Sequence, residues 1–370
     1  MAAPLPGPAP APAPAPTVTD VAPAVLALRA AFDRVPGYLD TATSGLPARA
    51  SLEAMRDSLD AWSQGRIDMA FYDESVTRAR TAFARVVGVP PSWVAIGGSA
   101  SPLVGIVAAG VRDGGRVVVV DGDFTSVVFP FLVHEDRGVV VEHVPLERLA
   151  ESVRPGVDVV AFSLVQSRDG RVADVEAITA AAERVGALTL CDATQAAGWL
   201  PFDAGRFDVT VVAAYKWLAA PRGTAFLVAR PEAVERMRPL HACWYAGEKI
   251  WGSVYGPHMR LADDARRFDS SPSWLCWAGA APALEALASV DLGQVHAHDV
   301  GLADAFCDAV GRPRAGSAIV SLPDDDEGTL RTRLLDAGLR VAGRGGGVRL
   351  AFHHGNGTDD VARAAAAVTG

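Results

Sequence analysis

Two charged residues that follow apolar segments carry the strongest chemical signal in this chain. Lys216 comes after the apolar run at 209–213 and is one of only two lysines, the other being Lys249. Asp192 ends an earlier apolar run. A lysine amine can form an imine with an aldehyde, and a carboxylate can hold a protonated ring nitrogen. The pair therefore predicts a site for pyridoxal phosphate, although a lysine after a buried strand is more often a solvated strand end.

A turn rich in small residues separates a predicted strand from a predicted helix. Its sequence, GGSAS at 97–101, lies between an apolar strand at 93–96 and a helical run at 102–109. Backbone N–H groups and the positive end of a helix favour a phosphate at such a turn. We predict that Ser99 and Ala100 contact the phosphate of the cofactor, and an ordinary glycine–serine turn is the alternative.

Side chains that follow other predicted strands complete the cofactor contacts. Phe124 is predicted to stack on the pyridine ring, although an aromatic residue at a strand end is more often part of the core. Gln166 and Ser167 are predicted to bond the ring hydroxyl or the substrate. Gln195 is predicted to donate to the phenolic oxygen, and Tyr215 to bond the phosphate.

Arg349 opens a predicted strand after three consecutive glycines. A guanidinium there can hold the α-carboxylate of an amino acid with two parallel bonds, and a surface arginine is the alternative. In this scheme Lys216 moves the α-proton and Asp192 keeps the ring protonated. The set predicts chemistry on an amino acid, and a substrate that lacks the α-carboxylate, such as an amine, stays open.

Short apolar strands alternate with helical segments from about residue 93 onward. Near-continuous Val, Ala and Leu strands with helices such as 175–185 between them indicate a mostly parallel sheet covered on both faces, an α/β fold. The strand candidates are 93–96, 116–120, 157–163, 187–191, 209–213 and 225–228.

The rest of the chain divides into a tail, a connecting segment and a smaller unit. Residues 1–17, rich in Ala and Pro, are predicted to be disordered. Residues 18–45 are predicted to pack on the small domain, and 46–290 to form the large cofactor-binding domain. Residues 291–370 read as a small α+β domain with helices at 292–310, 327–337 and 359–368 and strands at 317–321 and 348–352.

The bulk properties exclude several classes of protein. A net charge of −9 argues against nucleic-acid binding, because phosphates need a basic face. No apolar run is long enough to span a bilayer, and the N-terminus lacks the features of a secretion signal. Four widely spaced cysteines predict reduced thiols in a cytoplasmic protein. No metal site is predicted, because the adjacent His353 and His354 would point opposite ways in a strand.

These motifs, in this order, resemble the class V aminotransferase family of fold-type I pyridoxal phosphate enzymes. That family includes cysteine desulfurases, selenocysteine lyase and isopenicillin N epimerase. The resemblance runs from Tyr38 to the C-terminus. It is carried by YLDTAT at 38–43, GGSAS at 97–101, DATQA at 192–196, AAYKWL at 213–218 with PRG at 221–223, FDSSP at 268–272, and RLAF at 349–352 with Asn356, Thr358 and Asp360.

The resemblance implies a homodimer with shared active sites and further site residues. Ser271 stands where the family has a threonine that reaches the neighbouring subunit's phosphate. Thr41 and Ala42, in the opening motif, are implied to lie beside the substrate. The aromatic stretch 241–277 is implied to line the active site near the interface. Trp244 and Tyr245 are therefore expected to contact the substrate, and packing of the interface is the alternative for this stretch.

Several positions depart from the family pattern, and these departures bear on the reaction. Tyr215 stands for the histidine before the lysine, Ala213 for a serine, Phe124 for the ring-stacking histidine and Ser167 for an asparagine. The stretch 338–347 has no cysteine where desulfurases carry their nucleophile, so persulfide-forming desulfuration is predicted to be excluded.

The function expected from the sequence is that of an amino-acid enzyme with an internal aldimine on Lys216. An aminotransferase or a lyase that catalyses β-elimination, such as C–S cleavage, in a specialised pathway is expected first. An amino-acid epimerase or racemase is the alternative, followed by a non-catalytic scaffold that binds the cofactor. The substrate and the amino acceptor stay open.

Overall fold

The computed structural model describes residues 21–370, and the predicted disorder of residues 1–17 falls outside that range. Its strands are β1 Val94–Gly97, β2 Arg116–Val120, β3 Val140–Val144, β4 Val159–Ser163, β5 Leu188–Asp192, β6 Val209–Ala213, β7 Ala225–Ala229, β8 Ile319–Pro323, β9 Ala342–Arg344 and β10 Gly347–Ala351. Its α-helices are α1 Pro23–Ala31, α2 Arg49–Ser63, α3 Met69–Val86, α4 Ala100–Ala108, α5 Thr125–Leu132, α6 Leu149–Ser152, α7 Val175–Val185, α8 Pro231–Val234, α9 Trp274–Ala288, α10 Leu292–Ala309, α11 Thr329–Asp336 and α12 Thr358–Thr369.

A seven-stranded sheet in the order β1-β7-β6-β5-β4-β2-β3 forms the centre of the large unit. Strands β2 to β6 are parallel, and β7 runs antiparallel to both β6 and β1. Because β7 reverses the direction twice, β1 points the same way as β6. The predicted α/β fold with a mostly parallel sheet is confirmed, and the sheet has seven strands.

The central strands are Val, Ala and Leu runs whose residues are buried throughout. Residues buried on both faces of a sheet produce such runs, which is why these strands were predictable. Strand β3 was not predicted from the sequence. It is the edge strand, and its residues VVEHV are mostly half-buried or exposed, so its apolar signal is weak.

Local signals begin and end several of the covering helices. Helix α3 begins after Asp68, whose carboxylate accepts from the amide of Ala70 at 2.9 Å. Helix α7 begins after Asp174 in the same way and ends at Gly186, which has a φ of 70°. The covering helices therefore start and stop where their capping residues stand.

A three-stranded antiparallel sheet, β8-β10-β9, forms the smaller unit with its own apolar core. Helices α10, α11 and α12 and strands β8 and β10 lie within about two residues of their predicted positions. Strand β9 was not predicted, because its three residues, AGR, are too few to show a pattern. The predicted domain boundaries stay a prediction.

The segment before α2 connects the small sheet to the large unit. Leu39 donates its amide to the Arg340 carbonyl and accepts from the Ala351 amide, at 2.9 Å and 2.8 Å. A few residues later, Gly45 donates to the Tyr215 carbonyl at 2.9 Å. One short stretch therefore bonds both to β10 and to the turn that carries Lys216.

Among residues 21–370, no single helix is long and apolar enough to cross a membrane. Helices α9 and α10 reach that length and apolar character only when taken together, and the chain bends by 89° between them.

Candidate active site

The sequence-predicted residues meet at one edge of the large sheet. The carboxyl ends of β1, β2, β4, β5 and β6 all point to this edge, which is where open α/β sheets bind ligands. A cavity of about 350 Å³ lies there, a size typical of small-molecule sites. Its lining includes eight of the predicted site residues, namely Ser99, Ala100, Phe124, Ser167, Asp192, Gln195, Tyr215 and Lys216.

Lys216 lies in the turn after β6, with its side chain almost fully buried. Burial lowers the pKa of its amine to about 8, which Asp192 opposes and which Arg349, Arg344 and Arg222 reinforce. A lysine with a lowered pKa supplies a neutral, nucleophilic amine near neutral pH. The solvated strand end considered for this lysine is therefore not what the structure shows.

Gly45 fixes the turn that carries Lys216, and it was not recognised from the sequence. A Cβ added at Gly45 would lie 2.0 Å from the Lys216 carbonyl oxygen and 2.8 Å from the Ala219 Cα. Ala219 itself has a φ of 53°, a left-handed conformation that costs a non-glycine residue about 1 kcal/mol or more. A lone glycine in a loop carries no signal of such a close approach, so only the structure could identify it.

Asp192 ends β5 and is buried beside the cavity. Burial raises the pKa of its carboxyl, while the amide of Thr194, which donates to Oδ1 at 2.8 Å, lowers it, as does Lys216. Thr194 also accepts from the Ala213 amide at 2.9 Å. Hydrogen bonds between the ends of β5 and β6 thus hold the carboxylate in place.

The predicted phosphate turn opens into the cavity. Ser99 precedes α4 in an extended conformation, and its side chain makes no capping bond. The first N–H groups of α4 therefore lack an intrahelical partner and are available to an anion. Arg222, which the sequence analysis did not single out as a site residue, also lines the cavity, and its guanidinium carbon lies 4.5 Å from the centre of the Tyr215 ring.

Phe124 faces the cavity rather than the core. Its ring is 45% exposed, and the Lys216 Nζ lies 5.2 Å from the ring centre. Asp123 fixes this residue by accepting from the Phe124 amide at 2.7 Å and from the Ser163 hydroxyl at 2.5 Å. An aromatic face open to a ligand is what ring stacking requires, so the core alternative for Phe124 is wrong.

Gln166 does not line the cavity, although it was predicted to contact the ring or the substrate. Its amide is buried and points to the Asp123 carboxylate, at 3.4 Å, and to the Ser163 carbonyl, at 3.3 Å. Adjacent residues point in different directions, and here it is Ser167 that faces the site. Gln166 supports the Phe124 turn instead.

Gln195 lines the cavity, but its amide is fully engaged. Nε2 donates to the Ala42 carbonyl at 2.9 Å and to the Ser167 hydroxyl at 3.0 Å, and Oε1 accepts from the Trp217 indole at 2.8 Å. Because an amide has two N–H groups, donation to a ring oxygen, as predicted, requires release of one of these bonds. In this arrangement Gln195 orders three loops around the site.

Arg349 is buried under the same loops. Its Nη1 donates to the Ser167 carbonyl and hydroxyl, and its Nη2 donates to the Thr43 hydroxyl at 2.9 Å. Its Nε is buried and has no hydrogen-bond partner among the described residues, and its predicted contact with a carboxylate stays a prediction. Burial, together with the charge of Arg344, lowers the pKa of this guanidinium to about 10, and Asp40 opposes the shift. The surface arginine considered for this position is not observed.

Thr41 and Ala42, the predicted site residues of the opening motif, lie next to the site but outside its main cavity. Thr41 lines a narrow crevice behind Lys216, next to Trp217, and its hydroxyl has no partner among the described residues. Ala42 is buried and contributes its carbonyl to Gln195. Neither lines the main cavity, so their predicted contact with the substrate stays a prediction.

Ser271 is exposed and does not line the cavity, so its predicted contact with a neighbouring subunit's phosphate stays a prediction. A buried ion pair holds its loop, because Arg80 Nη2 lies 2.7 Å from Asp269 Oδ2. Asp269 also accepts from the Ile96 amide at 2.7 Å, next to the phosphate turn. The loop and the phosphate turn are thereby joined within one protomer.

Trp244 and Tyr245 do not reach the cavity of their own protomer. They belong to an aromatic cluster with Trp251 and Trp274, whose neighbouring ring centres lie 5.0–6.3 Å apart. The Tyr245 hydroxyl donates to Asp73 at 3.2 Å. The cluster therefore packs against α3 and α9, and the predicted substrate contact is not made within one subunit.

The cysteines are all free in the described chain, and one lies near the site. Cys276 donates from its thiol to the Arg222 carbonyl at 3.2 Å, although Arg222 is distant in sequence. Burial raises the pKa of this thiol, which disfavours the nucleophilic thiolate.

In residues 21–370 no group of side chains could hold a metal ion, and His353 is buried with its ring bonded to Asn356.

The chain is similar to several characterised and uncharacterised proteins. It is 31% identical to the uncharacterized aminotransferase YcbU of Bacillus subtilis over 61% of this chain and 62% of that protein. It is 28% identical to a kynureninase of Deinococcus radiodurans over 75% and 72%, respectively. It is 25% identical to the isopenicillin N epimerase of Streptomyces clavuligerus over 45% and 46%.

Solved structures of other proteins share the fold. The Escherichia coli cysteine desulfurase CsdA superposes with a TM-score of 0.80 at 20% identity, over 93% of this chain and 97% of that one. The cystine C–S lyase C-DES superposes with a TM-score of 0.81 at 17% identity, over 90% and 97%. At these identities the likeness establishes the fold alone.

The profile of the class V aminotransferase family matches residues 38–313, which is most of the chain. The cofactor of this family is pyridoxal phosphate, and the cavity fits it. The fit rests on a buried lysine of lowered pKa, a buried carboxylate on the neighbouring strand and uncapped N–H groups at α4. On this evidence the chain belongs to the class V aminotransferase family of pyridoxal-phosphate enzymes.

Proposed function

We propose that this protein uses pyridoxal phosphate held on Lys216 to remove the α-proton of an amino acid, and completes either aminotransfer or β-elimination. The observation that carries the proposal is the buried Lys216 amine, with its pKa lowered to about 8, in the same cavity as Asp192. The family match supports enzymatic chemistry on an amino acid, and the choice of reaction and substrate is our proposal.

Each residue of the site has a distinct task. When bound, the cofactor supplies an electron sink for the charge that develops on the substrate's α-carbon. The Asp192 carboxylate holds the proton on the ring nitrogen, and the N–H groups at the start of α4 hold the phosphate. Lys216 Nζ takes the α-proton, and the Arg349 Nε, free in the structure, binds the α-carboxylate.

The lack of a histidine against Lys216 favours aminotransfer and β-elimination over epimerisation. Among the residues that line the cavity, Phe124 stands against the lysine where a titratable histidine is usual in the family. Phenylalanine cannot carry a proton. One lysine can remove the α-proton and return it to the cofactor or to a leaving group, whereas inversion at the α-carbon is served best by acids on opposite faces.

The absence of a nucleophilic cysteine supports our proposal that the enzyme is not a cysteine-dependent desulfurase. The stretch 338–347, which precedes Arg349 and includes β9, contains no cysteine. Cys276, the thiol next to cavity residue Arg222, has a raised pKa.

We further propose a cytoplasmic homodimer with shared active sites. Ser271 is exposed and displaced from its own cavity, and the aromatic stretch beyond residue 250 leaves large side chains such as Tyr255 and Met259 on the surface. In the dimer these features complete the site of the partner.

Product analysis tests the proposed function. Holoenzyme is incubated with pooled amino acids, with and without an α-keto acid, and the products are identified by mass spectrometry. A new amino acid that needs the keto acid indicates aminotransfer, whereas a keto acid and ammonia without it indicate β-elimination. Inverted stereochemistry alone would contradict the proposal, and a protein that holds the cofactor but turns over no amino acid would indicate the scaffold.

A further inference from the structure

Two arginines of the β9–β10 hairpin and a third from the turn after β4 lie beside the candidate site without an ion-pair partner among the described residues. Arg168 follows β4, Arg344 ends β9, and Arg349 lies in β10. Within residues 21–370, none of them is in ion-pair contact with a carboxylate. Elsewhere in the chain, by contrast, Arg78 and Arg154 hold a carboxylate with two nitrogens each.

The spacing of these groups is set by hydrogen bonds and close packing. The Thr43 hydroxyl accepts from Arg349 Nη2 at 2.9 Å and from Arg344 Nη2 at 3.3 Å, so these two guanidiniums are neighbours. Arg168 packs on the hairpin tip, since a Cβ added at Gly345 would lie 2.8 Å from its Nε. The Arg344 and Arg349 charges therefore lie close together, and the Arg168 side chain lies against the tip of the hairpin that carries them.

Like charges held this close repel one another, and the effect is visible on the nearby groups. Arg344 lowers the pKa of both Arg349 and Lys216. Asp40 opposes this at Arg349, but its Oδ1 is buried without a hydrogen-bond partner, so it does not neutralise the cluster through contact. An arrangement of this kind is stabilised when a ligand supplies negative charge.

The cofactor phosphate does not supply the negative charge that would stabilise this arginine cluster. The phosphate turn, at the start of α4, and the arginine cluster are carried by different strand ends, and neither Arg344 nor Arg349 lines the cavity that the phosphate turn opens into. One α-carboxylate accounts for Arg349 alone, because that side chain is buried and keeps a single free Nε. Arg344 is exposed, and among residues 21–370 its side chain donates only to the Thr43 hydroxyl and the Gly343 carbonyl.

We infer that the substrate is an amino acid with a second carboxylate on its side chain, bound by Arg344 with Arg168 beside it. This inference rests on the proposed function, in which Arg349 holds the α-carboxylate. Arg344 would then select among amino acids by charge, since a neutral side chain leaves its guanidinium unpaired.

The test measures binding of unreactive carboxylates to holoenzyme by calorimetry, in pairs of equal length. The pairs are succinate with butyrate, glutarate with valerate, and adipate with hexanoate. At one length or more we expect the dicarboxylate to bind ~10-fold more tightly, as a charged two-point bond provides, and the advantage to shrink with salt.

Substitutions show which residue is responsible for the tighter binding of the dicarboxylates. Arg344→Gln should abolish the advantage, taken as the ratio of dicarboxylate to monocarboxylate affinity within the same variant, while Arg184→Gln, an equal charge change at the end of α7, should retain that ratio. No advantage at any length, or the same advantage in Arg344→Gln, would overturn the inference. Monocarboxylate binding that is unchanged in Arg349→Lys would instead contradict the carboxylate grip of the proposed function, so the two failures are distinguishable.

Discussion

Trp217 donates from its indole to the Gln195 side chain at 2.8 Å, which joins the residue after Lys216 to the loop after Asp192. Gln195 passes this constraint on to the Ala42 carbonyl and the Ser167 hydroxyl. The amide therefore connects three loops and holds the lysine and the carboxylate at a fixed separation. Such buried networks are stable only when each member keeps its partner.

Removing the indole donor should weaken this network. In Trp217→Phe, the Gln195 Oε1 stays buried without a donor, which costs about 1–3 kcal/mol. We expect that loss in the free energy of unfolding of the apoprotein, measured in urea, together with faster loss of the cofactor. Trp62→Phe is the control, since that side chain is 58% exposed and should change stability little. Equal stability of the two variants would remove the network from this account.

The pKa of Lys216 predicts how cofactor uptake depends on pH. Only the neutral amine attacks an aldehyde, and a pKa of about 8 leaves roughly one molecule in ten neutral at pH 7, against roughly one in 3,000 for an ordinary lysine. Uptake by the apoprotein should therefore speed up as pH rises and level off above pH 8. The rate is measured by stopped-flow absorbance. A rate that still climbs tenfold per unit between pH 9 and 10 would show an unshifted lysine.

The buried pair of Arg80 and Asp269 should be essential to the fold. Asp269→Asn leaves the guanidinium buried and uncompensated, which costs about 3–5 kcal/mol. Urea unfolding checks this, with Asp33→Asn as the matched control, because Asp33 pairs with Arg49 on the surface and should contribute below about 1 kcal/mol. A similar small loss in both variants would contradict the role of the buried pair.

Cys276 tests the exclusion of desulfuration. Because its thiol has a raised pKa and donates to the Arg222 carbonyl, Cys276→Ser should keep the cofactor and its turnover. Mass spectrometry of the wild type after incubation with cysteine should show no added sulfur on Cys276. A folded, cofactor-bound serine variant without turnover, together with a persulfide on Cys276, would identify the enzyme as a desulfurase after all.

The sequence predicts the centre of the site well because each central residue follows a buried strand. Lys216 and Asp192 come after Val- and Leu-rich runs, and the carboxyl ends of such strands share one edge of a sheet. The edge strand β3 was missed, since strands exposed on an edge lose the apolar pattern.

Contacts between distant segments could not be derived from the sequence. Gly45 matters only because the Lys216 carbonyl approaches it, and the sequence gives no sign of that approach. The turn after β4 could have presented either Gln166 or Ser167 to the cavity, and backbone geometry alone decides for Ser167. The arginine cluster likewise joins segments that are far apart in the chain, through Thr43.

The most direct test of the central claim is to reduce holoenzyme with borohydride and locate the cofactor by peptide mass spectrometry. With only Lys216 and Lys249 in the chain, the result is unambiguous. We predict a yellow protein whose absorbance is lost on reduction, with the cofactor fixed on the buried Lys216 and no fixation in Lys216→Ala. A cofactor fixed on the exposed Lys249, or a protein that binds none, would contradict the account.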